Sequence, residues 1–118
     1  MTTRASRIVL FEPDLLFSSQ IEGLASRSGL EVTVVTNLEE LLHELDAKSA
    51  KAFIISLDSL EGQLLVLRTH VYETMSVVGY YSHVKGHLAK EAKSAGIRTV
   101  ISRGAFAAKM QEVLAGLG

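Results

Sequence analysis

Five short strand-like runs alternate with segments of helical spacing along this chain, and the first of the runs is apolar without a break. Ile8-Val9-Leu10-Phe11 opens the series. A strand in which every residue is apolar has no face to offer water, so it reads as buried on both sides. Glu31 to Thr36 follows, with β-branched Val32, Thr33, Val34 and Val35. Ala52 to Ser56, Ser76 to Tyr81 and Arg98 to Ser102 complete the strand set. Strands buried on two faces need a layer of helices above and below. Five β-α units with short connections then predict one doubly wound parallel sheet, an α/β fold with right-handed crossovers.

The intervening segments supply those helices. Asp14 is placed to cap a helix over 15–27, in which Phe17, Ile21 and Leu24 recur on one side. Gly29 suits the left-handed position that closes it. Asn37 followed by Glu40 forms a helix-start box before Leu38, Leu41, Leu42 and Leu45. The spacing of Leu64, Leu67 and Val71 predicts a third helix after a polar turn at 58–62. Ser82 is expected to cap a fourth, with Val84, Leu88 and Ala92 (or Ala95) inward and Gly96 at its end. Phe106, Met110, Val113 and Leu117 mark the buried stripe of the fifth.

The 118 residues fit a single domain, expected to span 1–118 with a short tail at 1–6. Apolar residues make up 47% and charged residues 21%, the balance of a water-exposed globular protein. A net charge of -1 with scattered Lys and Arg offers no footprint for nucleic acid or an anionic membrane. The absence of cysteine excludes disulfides, thiol nucleophiles and thiolate metal sites. No apolar run nears the roughly 20 residues that span a bilayer. The first residues lack the apolar segment of a secretion signal, so a cytoplasmic location is the expectation.

In this topology ligands sit beyond the carboxyl ends of the strands, so the strand tips decide the chemistry. The order of motifs resembles the receiver domain of bacterial two-component response regulators, a flavodoxin/CheY-like fold with strand order 2-1-3-4-5. The likeness runs over about residues 6–116, and its strongest segment is Gly96-Ile97-Arg98-Thr99-Val100-Ile101-Ser102-Arg103-Gly104-Ala105-Phe106. The resemblance implies an acidic pair after strand one, a phosphate-accepting aspartate after strand three, Thr or Ser after strand four and Lys after strand five.

This chain departs from that pattern in one pocket. Glu12 holds the first acidic position, but Pro13 holds the second, with Asp14 one residue later. Receiver phosphorylation uses Mg²⁺, a hard cation bound by carboxylates and water, and the loss at Pro13 weakens such a site. Ser56 aligns with the acceptor; a competing register places Asp58 there instead. A serine is a poor nucleophile without a base and forms no acyl phosphate. Tyr81 falls on the switch hydroxyl, beside Ser82, and its phenol is expected to fill the phosphate pocket. Val100 replaces an aromatic that usually changes rotamer, Arg103 replaces the lysine, and Gly104 replaces a proline.

The resemblance therefore implies a pseudo-receiver: a non-enzymatic regulatory interaction module, with no resident cofactor, acting without aspartyl phosphorylation. Its partners would be proteins, a sensor kinase or another regulator, with a homodimer through the strand-four to helix-five face as a further option. The rival reading is a phosphorelay receiver using Asp58, with Mg²⁺ held by Glu12, Asp14 and Asp58. A more distant rival is an anti-sigma-antagonist domain switched at Ser59. Each singled-out residue also has a plainer role. Glu12 and Asp14 would complement a helix N-terminus, and Ser56 would bond a turn. Arg103 would pair with Glu12 or Asp58, or stay solvated. His83 and His87, four apart, permit a metal only with a third ligand. Tyr80 and Tyr81 must point to opposite faces, one under a helix and one at the pocket rim.

Overall fold

The computed structural model describes residues 6–117 as one five-stranded parallel sheet, in the order β2-β1-β3-β4-β5. The strands are β1 (Ser6–Phe11), β2 (Leu30–Val35), β3 (Ala52–Ser56), β4 (Val77–Tyr81) and β5 (Thr99–Ser102). The α-helices are α1 (Leu15–Arg27), α2 (Leu38–Ala47), α3 (His87–Ser94), α4 (Arg103–Ala108) and α5 (Met110–Leu117). The predicted tail at 1–6 lies outside the described residues except for Ser6, which already belongs to β1.

Strand parity divides the core into two. Val9, Phe11, Phe53 and Ile55 pack on one face with Leu41, Leu45, Leu88 and Ala92. Ile8, Leu10, Ala52 and Ile54 pack on the other with Phe17, Ile21, Phe106 and Leu114. Because the side-chain period of a strand is two, consecutive apolar residues feed the two layers alternately. That is the physical content of the unbroken runs.

Local caps follow the sequence closely. Asp14 accepts the amides of Leu16 and Phe17 at 3.0 and 3.3 Å. Asn37 accepts the amide of Glu40 at 2.9 Å, and Gly29 takes φ 78° after α1.

Four expectations are corrected. The third predicted helix is not α-helical: the β3–β4 crossover is built from 3-10 turns at Asp58–Leu60 and Leu64–Thr69. Gly62, at φ 84°, separates them. Ser82 caps no helix, because a 3-10 turn at His83–Lys85 precedes α3 and the Ser82 hydroxyl is engaged elsewhere. Val84 is exposed rather than inward. The fifth predicted helix is broken at Lys109 into α4 and α5, which shifts the buried position from Val113 to Leu114.

Candidate functional site

Ser56 is the last residue of β3 and pairs in register with Tyr80 on β4. Residues of even number on β3 face the α1, α4 and α5 layer, so both side chains lie under those helices. Ser56 is buried, and its hydroxyl lies 3.1 Å from that of Ser59. Tyr80 is 1% exposed and stacks on Phe106 at 4.9 Å, with the edge of Phe17 at 5.4 Å. Its hydroxyl donates to Glu12 Oε1 at 2.5 Å.

A buried phenol needs a partner for its O–H, and Glu12 at the tip of β1 supplies it. Burial, then the bond to Glu12 and its charge, push the Tyr80 hydroxyl well above the ordinary tyrosine range. Tyr80 therefore stays neutral and serves as a donor. The prediction that Tyr81 fills this pocket is corrected: Tyr81 points to the opposite layer and is half-buried there. The two tyrosines do point to opposite faces, with Tyr80 under α1 and α4 and Tyr81 in the other layer.

Arg103 does not reach Glu12 or Asp58 by an ion pair. Its guanidinium lies over the Phe17 ring at 4.2 Å, with Nη2 3.6 Å from Asp14 Oδ2. Both partners of that ion pair are substantially exposed, so it contributes little to stability. Asp58 begins the first 3-10 turn, and its two carboxylate oxygens accept from Ser82: Oδ1 from the amide at 2.9 Å, Oδ2 from the hydroxyl at 2.6 Å. Ser59 sits inside that turn and heads no α-helix. Pro13 is exposed, and Gly104 lies in the first turn of α4.

The fit of this set to a divalent ion is a matter of free oxygens. Glu12 Oε1 accepts from Tyr80, and Oε2 accepts the Asp14 amide at 2.9 Å. Asp14 Oδ1 caps α1 and Oδ2 faces Arg103. With Asp58 committed to Ser82, every carboxylate oxygen of Glu12, Asp14 and Asp58 has a protein partner. The three do not fit a Mg²⁺ site as arranged. Among the described residues no group of three His, Asp or Glu is gathered in metal-binding range. His87 instead meets Glu61 at 2.8 Å, alongside Lys85, on the exposed surface. There the hydrogen bonds from Lys85 and His87 hold the Glu61 carboxyl below its usual range.

Tyr80 is the residue that sequence reasoning misassigned. The signal lay in strand parity: an aromatic at each of Phe17 and Phe106, on the two helices over one face, calls for a ring between them.

Comparison with known proteins bears on this geometry. No protein-family model matches the chain, and no curated protein matches it. Solved structures do. A response regulator from Thermotoga maritima superposes with TM-score 0.75 at 13% identity, covering 97% of this chain and 98% of its own. A CheY-like protein (tadZ) from Pseudomonas aeruginosa PAO1 gives 0.71 at 26% identity, over 96% and 99%. An atypical orphan response regulator, described as having a phosphorylation-independent regulatory mechanism, gives 0.69 at 17%, over 93% and 95%.

Proposed function

We propose that this chain, a domain with the response-regulator receiver (CheY-like) fold, is a regulatory protein–protein interaction module whose switch pocket is occupied from within. It acts without aspartyl phosphorylation. The observation that carries this reading is the Tyr80 phenol seated between Phe17 and Phe106 and bonded to Glu12. A phosphoryl group entering at Ser56 would have to displace a buried ring. Ser56 offers no carboxylate, and the carboxylate of Asp58 holds the loop after β4. The orphan regulator described as phosphorylation-independent adds support by likeness of fold.

A partner protein then acts by binding one conformation of the β4-to-α5 face better than another, since only differential affinity shifts such an equilibrium. A sensor kinase, another regulator or a second copy of this chain would serve as that partner. The test is incubation with a small phosphodonor and Mg²⁺, read by intact mass. The wild-type protein is expected to stay unmodified. A phosphate adduct that disappears in Asp58→Ala would establish the phosphorelay reading instead.

A further inference from the structure

At the opposite end of the sheet from Ser56 and Tyr80, a cavity of about 340 Å³ opens between the end of α2 and the starts of β3 and β4. Its lining includes Lys48, Lys51, Phe53, Tyr72, Thr74 and Ser76. The volume lies in the range of small-molecule sites, which combine an apolar floor with a few polar groups. Partly buried Ala50 and Met75 supply apolar lining, Thr74 and Ser76 supply hydroxyls, and Lys48 supplies positive charge. Among the described residues no carboxylate lines it.

Lys48 is the telling residue. It is the one non-glycine with positive φ among the described residues, at 54°, in the position that closes α2. Glycine takes that conformation without steric cost, and a lysine does not. The lysine there carries its ammonium over the Tyr72 ring, 4.2 Å from the centroid, at the cavity wall. Tyr72 is 45% exposed, so part of its ring stays accessible next to the cation that covers its centre, a surface for a flat ring that bears a negative charge.

We propose that this cavity binds a small planar organic anion, an aromatic or heterocyclic ring carrying a carboxylate or phosphate. The ring would lie against the exposed part of Tyr72, and the anionic group would be held by Lys48 and the hydroxyls of Thr74 and Ser76. The site is separate from the Tyr80 pocket and holds whether or not that pocket accepts phosphate.

Amide chemical-shift titration of the whole chain tests it with three probes: indole-3-carboxylate, uncharged indole and inorganic phosphate. Saturable shifts are expected with indole-3-carboxylate at residues 48–53 and 72–76, with the other two probes about tenfold weaker. Lys48→Gly separates a ligand role from a structural one. Relief of the left-handed backbone is expected to keep or raise the unfolding midpoint while carboxylate binding falls about tenfold. Tyr72→Ala is expected to weaken binding as well. Shifts that fail to saturate, lie elsewhere, match those from indole, or survive Lys48→Gly would overturn the proposal.

Discussion

The hydroxyl of Tyr80 donates to Glu12 Oε1 at 2.5 Å, joining the tips of β4 and β1 across the mouth of the sheet. β3 lies between those strands, so the bond passes over Ser56 and closes the position where the receiver resemblance implies a phosphate. Sixty-eight residues separate the partners, which makes this a contact that only the finished fold can form.

Tyr80→Phe removes the donor and keeps the ring. Glu12 is 3% exposed, so its Oε1 would be left buried without a partner, at a cost of about 1–3 kcal/mol. Tyr80→Ala also removes the stack on Phe106 and is expected to cost about 3–5 kcal/mol. Urea unfolding of the two variants checks the order.

The same bond predicts an alkaline limit. Folding raises the Tyr80 hydroxyl above its ordinary value of 10.0, chiefly through burial and then through Glu12. Below that value both folded and unfolded chains keep the proton, and the contribution is complete. Above it the unfolded chain releases the proton while the folded chain retains it. Stability then falls as pH rises, by up to about 1.4 kcal/mol per unit from this group. Lysines titrate in the same window, so the quantity to measure is the difference between wild type and Tyr80→Phe from pH 9 upward. That difference should shrink towards the alkaline end.

Asp58 is predicted to be a structural residue. Asp58→Ala leaves the Ser82 amide and hydroxyl without their acceptor and is expected to cost about 1–3 kcal/mol. Asp58→Asn keeps one acceptor oxygen and should fall between Ala and wild type. Thermal unfolding distinguishes this ranking from the null cost expected of a solvent-facing acid.

Ser56→Asp would recreate the carboxylate that the receiver resemblance implies. The side chain is buried, and both Ser56 and Glu12 interact with the Tyr80 hydroxyl. Two carboxylates around one phenol cannot both ionise cheaply. The variant is expected to be clearly destabilised at pH 7 and to regain stability in acid, where the added carboxylate is protonated. Unfolding midpoints measured at neutral and acidic pH read this directly.

How far the sequence discloses this arrangement varies by element. The sheet is legible because unbroken apolar runs admit few folds, and Asp14, Asn37 and Gly29 announce their helix ends. The third helix misleads because Leu57, Leu60, Leu64, Leu67 and Val71 keep helical spacing. Two 3-10 turns satisfy the same inward positions, Leu60 in one and Leu64 with Leu67 in the other, and Gly62 with positive φ divides the run. The site is harder still. Sequence placed Glu12, Ser56, Asp58 and Arg103 at strand tips, but Asp58 and Arg103 found partners among their new neighbours, Ser82, Asp14 and Phe17.

Which of two adjacent tyrosines enters the pocket is set by the residue before them. Gly79 faces the layer containing Leu57, and a Cβ built there would lie 2.9 Å from Leu57 Cδ2 and 3.0 Å from Cδ1. Leu57 is fully buried and belongs to the core beneath the β3–β4 crossover, so it has little room to yield. With Gly79 turned that way, parity sends Tyr80 to the opposite layer and up against Glu12. Gly79→Ala is therefore expected to cost about 1–3 kcal/mol by overpacking. Adding Leu57→Val removes the colliding methyl carbons and should recover part of the loss, although Leu57→Val alone is destabilising. A double-mutant cycle in urea measures that coupling. Strictly additive costs would show that the approach of Leu57 does not constrain position 79.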